Sequence, residues 1–89
     1  MEIKLHFIPE LPKESCECLV FHYNVPTGNI TTVINVHYSA VYGAFNMYDY
    51  FDTDYVVSRA KQTEEYNASI IAWAYMDEVT QGVFDEIYG

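Results

Sequence analysis

Alternation of apolar and polar residues runs through the first forty positions of this chain and predicts strands rather than helices. Ile3, Leu5 and Phe7 alternate with Lys4 and His6, the period of two that places every second side chain on one face of a strand. Pro9 and Pro12 close that strand, because proline brings no N–H to a sheet ladder. From Cys16 to Tyr23 every residue except Glu17 and His22 is apolar or aromatic, as in a strand buried on much of both faces. Asn24 to Asn29, with Pro26 and Gly28, supplies a hairpin turn. A third strand follows. Ile30, Thr32, Ile34, Val36 and Tyr38 share one of its faces, and Thr31, Val33, Asn35 and His37 form a largely polar, wet one.

Between Ser39 and Asn67 the pattern loosens. Gly43 marks a bend, Tyr48 to Tyr55 reads as an irregular crossing, and Asp54 is placed to cap a short helix that uses Val56, Val57 and Ala60. Ser69 to Tyr75 is a strand again: Ile71, Trp73 and Tyr75 fall on one face, with small Ala72 and Ala74 on the other. Asp77 then caps a final helix in which Val79, Val83 and Ile87 recur every fourth residue, joined by Phe84 and ended by Gly89. The order β, β, β, irregular stretch, β, α predicts an α+β fold. It would be a small antiparallel sheet of about four strands with a C-terminal helix, in one domain over residues 1–89.

Charge changes the picture more than hydropathy does. Thirteen Asp and Glu stand against four Lys and Arg, giving a net charge of −9, and nine Tyr are threaded through the same stretches. The aromatic and apolar content is that of a folded chain, so the acidity decorates a core rather than signalling disorder. Such a surface repels nucleic acid and suits a basic partner protein. Met1 to Leu5 lacks the basic and long apolar regions of a leader, and no apolar run approaches the ~20 residues of a membrane span. With Cys16 and Cys18 too close in sequence to close a useful disulfide loop, a soluble cytoplasmic protein is expected, with no membrane partner.

Candidate chemistry is sparse. Cys16, Cys18 and His22 project from the same face of one strand and are the residue types zinc prefers. Positions two apart on a strand lie roughly 6 to 7 Å apart, longer than one tetrahedral ion permits. The cysteines are therefore expected to be reduced and metal-free. Asp52-Thr53-Asp54 resembles the opening of a calcium loop but lacks its sixth-position glycine and twelfth-position glutamate. Ser15, Ser39, Ser58 and Ser69 lack a nucleophile-elbow pattern, and no glycine loop suits a phosphate. No catalytic residue, metal or cofactor is expected. The strongest candidate is a contact surface made by Tyr48, Asp49, Tyr50, Asp52, Asp54 and Tyr55, because tyrosine gives large contact area at low entropy cost and carboxylates attract a basic partner.

Ile8-Pro9-Glu10-Leu11-Pro12 followed by Cys18-Leu19-Val20, and Ile71-Ala72-Trp73 further on, resemble a group of small phage and prophage proteins of unknown function. The match covers about a third of the chain, without the opening Trp of that group. It implies a mobile-element origin and no catalytic residues. In size and acidity the chain is also similar to anti-CRISPR and anti-restriction proteins, many of them short acidic inhibitors. That likeness implies a phage-type protein that inhibits a basic, nucleic-acid-handling host protein, with a non-inhibitory interaction module or oligomer subunit as the alternative and a small metal-binding protein as the third reading.

Overall fold

A computed structural model describes residues 3–89; Met1 and Glu2, part of the stretch read for a leader, lie outside them. Five strands form one curled antiparallel sheet: β1 (His6–Phe7), β2 (Cys16–Asn24), β3 (Asn29–Ser39), β4 (Ala44–Phe45) and β5 (Ile70–Tyr75), in the spatial order β1-β5-β2-β3-β4. Two helices join them, α1 (Thr53–Ala68) between β4 and β5 and α2 (Met76–Tyr88) running on directly from β5. The α+β class and the antiparallel sheet agree with the sequence reading. A fifth strand, β4, is added where only a bend was expected: Gly43, at φ 63°, turns the chain so that Ala44 and Phe45 return along Ser39 and Tyr38. No helix among the described residues is long and apolar enough to cross a membrane.

Register decides which side chains meet. Val20 pairs with Val33 on one side and Trp73 on the other, Cys18 with Val36 and Tyr75, and Cys16 with Tyr38. These residues occupy the front face, where Cys18, Val20, Val36, Tyr38, Phe45, Ile70 and Trp73 make the buried core. Helix α1 covers it with a face of Val56, Arg59, Thr63, Tyr66 and Asn67, spaced three and four apart. Asn67 locks α1 to β4, accepting from the Phe45 N–H at 2.8 Å and donating to the Phe45 carbonyl at 3.0 Å.

Several expectations need correction. In β1 the alternation is inverted. Pairing of His6 with Trp73 puts His6 on the core face, where its ring stacks on the indole at 4.2 Å, and leaves Ile3, Leu5 and Phe7 exposed. In β3 a bulge opposite Cys18 to Val20 shifts the register, with Asn35 at φ 56° absorbing the extra residue. Val33 therefore joins Val36 and Tyr38 on the core side while Ile30 and Ile34 face solvent. Helix α1 is 16 residues long rather than short and is capped by Asp52 rather than Asp54: the Asp52 carboxylate accepts from the Tyr55 N–H at 2.7 Å, and Val57 and Ala60 are exposed. The second long helix has Tyr75 at its N-cap with no side-chain cap, and Asp77 lies inside its first turn, accepting from the Glu78 N–H at 2.8 Å. Tyr88, on the last turn of that helix, is exposed.

Candidate functional site

The segment from Tyr48 to Tyr55 is built around one carboxylate. Asp49 accepts from the Ser15 hydroxyl at 2.6 Å and from the Ser39 hydroxyl, with the Val41 N–H adding a third donor. Ser15 in turn accepts from the Ala40 N–H at 2.8 Å, and Ser39, which is fully buried, accepts from Tyr42 N–H at 3.2 Å. The hydroxyls of Ser15 and Ser39, followed by the Val41 N–H, hold the Asp49 carboxyl below the usual carboxylate range, since each bond favours the charged form. Asp49 thereby ties the start of β2, the end of β3 and the crossing segment together. Asp52 is engaged as the α1 cap. Of the three carboxylates in the expected contact surface, two hold structure, and Asp54 is exposed in the first turn of α1.

The rings do come together. Tyr48 stacks on His37 at 4.4 Å and on Tyr50 at 5.2 Å; Phe51 meets Tyr48, Tyr50 and Tyr55 at 5.3, 5.5 and 4.3 Å. His37 is itself fixed by Glu17 across the β2–β3 pair, Nδ1 to Oε1 2.9 Å. Tyr50 is 78% exposed, and Tyr55 carries Arg59 on its hydroxyl at 3.0 Å. Arg59 thus stands beside this acidic stretch, one helical turn on from Tyr55, where i and i+4 side chains meet. The result is an exposed, edge-supported aromatic cluster whose backbone is braced from below, with the Tyr42 hydroxyl donating to the Phe51 carbonyl at 2.7 Å.

Cys16 and Cys18 lie closer than their strand positions suggest, Sγ to Sγ 3.6 Å, because both side chains lean together on the core face. The objection from spacing fails at the sulfur atoms. The third ligand does not arrive: His22 Nδ1 is 2.6 Å from Ser69 Oγ, and among the described residues no group of three His, Cys, Asp or Glu is placed to hold a metal ion. Burial pushes both thiols up, Cys18 far more than Cys16, which disfavours the thiolate a metal needs.

Sequence reasoning missed the His22–Ser69 pair, which borders a groove of about 490 Å³ between the β2–β3 hairpin and Tyr66. Its geometry opposes nucleophilic use. The Ser69 hydroxyl donates to the Tyr66 carbonyl at 3.0 Å, so its proton is committed and His22 must donate to it rather than accept. His22 Nε2 is buried with no partner among the described residues, where a catalytic base would meet an orienting acid. No local sequence pattern signalled a pairing across 47 positions. Compared with family models, curated proteins and solved structures, the chain matches none.

Proposed function

We propose that this chain is a non-catalytic binding protein that engages a basic, nucleic-acid-handling protein through the Tyr48–Tyr55 cluster, as a phage-type cytoplasmic inhibitor would. The observation that carries the reading is the exposed ring cluster itself. Tyr50, Tyr55 and Phe51 offer rigid aromatic area beside Asp54, on a segment already immobilised by Asp49, so little ordering entropy opposes binding. A net charge of −9 speeds encounter with a basic surface and repels DNA and RNA. Asp49 and Asp52 contribute to that field but act chiefly as braces.

The test uses the most exposed ring of the cluster and the carboxylate that neither braces the segment nor caps α1. Retention of a nucleic-acid-binding protein from a bacterial lysate supplies the partner, and Tyr50→Ala with Asp54→Asn is then measured against it by calorimetry over a range of salt. Affinity should fall ~10- to 100-fold, the scale of losing an aromatic anchor and a facing charge, and the remaining binding should show a shallower salt dependence. A partner bound with unchanged affinity and salt slope would remove this surface from the function.

A further inference from the structure

Helix α2 turns the wrong side outward. At 100° per residue, Val83, Ile87, Phe84 and Tyr88 fall on one continuous arc, while Glu78, Gly82 and Asp85 fall on the opposite one. It is that second side, with Val79 at its margin, that is half-buried where α2 lies against β2 and β5. The apolar arc faces water: Val83, Phe84, Ile87 and Tyr88 are between 54% and 74% exposed, and no residue of α2 is buried. Surface helices of a complete globular fold do the reverse.

The same molecule leaves a second apolar surface uncovered. On the rear of the sheet Phe7 pairs with Ala72, and Phe21 with Ala72 and Thr32. Phe7 and Ile34 there are 63% and 60% exposed, with Ile30 and Tyr23 beside them at the hairpin. The molecule is 19 Å through its thinnest direction, the depth of two packed layers, and the rear side chains of β1, the β2–β3 hairpin and β3 stay exposed although Ala72 and Ala74 beside them are buried.

We infer that the occupant of both surfaces is a second copy of this chain, with the α2 stripe of each copy packed on the uncovered rear sheet of the other. The areas fit. The four stripe side chains keep on the order of 400 to 500 Å² in water and the rear-sheet residues a similar amount. Reciprocal pairing then buries about 800 to 1,000 Å² per copy, the size at which stable interfaces begin. Each copy supplies one stripe and one sheet surface, so a single two-fold uses both and closes the assembly at two. The charges bear on the pairing as well: Glu78 and Asp85 are half-buried on the opposite side of the helix, and exposed Asp77 stands at the N-terminal end of the stripe's arc, one to two turns before Val83 and Phe84. This surface is separate from the Tyr48–Tyr55 cluster and does not depend on its function.

Sedimentation velocity on the full chain tests it. At tens of micromolar the mass should be twice 10.3 kDa, and raising salt from about 50 to 500 mM should strengthen association, because screening relieves repulsion between two chains of charge −9 while apolar burial persists. Phe84→Asp with Ile87→Asp should weaken pairing at least ~100-fold, and Ile34→Lys on the sheet should weaken it independently. Circular dichroism checks that each variant folds. A wild-type monomer at 100 µM-scale loading in high salt, a species larger than a dimer, or folded stripe variants that still pair would each overturn the inference, and the wild-type result stands even if a variant fails to fold.

Discussion

Replacing Trp73 by Phe isolates two contributions that the structure makes separable. The indole is 1% exposed, stacks on His6, meets Tyr75 edge-on at 4.9 Å and donates Nε1–H to the Glu10 carbonyl at 2.7 Å. Phenylalanine keeps the ring contacts to Phe45 and Tyr75 but loses the second ring and the donor. The missing apolar area, on the order of 50 Å², is worth about 1.3 kcal/mol. The hydrogen bond adds about 1 kcal/mol, with no further penalty because Glu10 is exposed and water can serve its carbonyl. A loss of ~2 kcal/mol should lower the melting temperature by roughly 8 to 16 °C in a domain of this size. Trp73→Ala should cost about 3 to 5 kcal/mol, comparable with the whole stability of a weak 89-residue domain, about 4 to 13 kcal/mol. Thermal melts followed by circular dichroism measure both. As the chain has one Trp, native fluorescence gives an independent check: iodide should quench it only after unfolding. A Phe variant melting within about 3 °C of wild type, or ready quenching of the native protein, would refute the buried, hydrogen-bonded assignment.

Two further outcomes follow from the titrating groups. The Asp49 carboxyl is held below its unfolded value, so it contributes stability above about pH 4 that is lost as pH falls through the folded value; Asp49→Asn should flatten the acid limb of urea-unfolding curves taken between pH 6 and 2, and an unchanged limb would mean the Ser15 and Ser39 bonds do not form. Both thiols are raised by burial, so their contribution is present below the unfolded thiol value near 8.5 and falls as pH rises past it. In native protein at about pH 8, Ellman's reagent should label Cys16 slowly and Cys18 only on unfolding; rapid stoichiometric labelling of Cys18 would show that strand β2 opens.

What the sequence disclosed was whatever depended on local period. The β2–β3 hairpin closes where Pro26 and Gly28 placed it, with the Gly28 N–H bonded to the Asn24 carbonyl at 2.7 Å, and Trp73 lies in the core as its strand pattern required. What it concealed depended on single residues or on distant partners. One bulge at Asn35 moved Ile30 and Ile34 from the expected face to the other, since a one-residue slip inverts a strand. The buried side of α1 is Arg59, Thr63 and Asn67 as much as Val56, so no apolar period marked its length. In α2 the period was plain, but nothing in it said that the stripe would face away from its own sheet. Within the candidate site, the aromatic cluster was readable from adjacency, whereas the bracing role of Asp49 rests on Ser15, 34 residues away.

Strand β5 enters the sheet between β1 and β2, bonded to both, although sixty-two residues separate Phe7 from Ile70. During synthesis the β2–β3 hairpin can form early, but its inner edge, carrying Cys18 and Val20, has no mate until residue 75 has left the ribosome. Until then a row of unpaired amides and carbonyls beside apolar side chains is open to any passing strand. The nascent chain is thus most prone to aggregate in a window set by topology, and removing residues from Ile70 onward would convert a central seam into a permanent sticky edge.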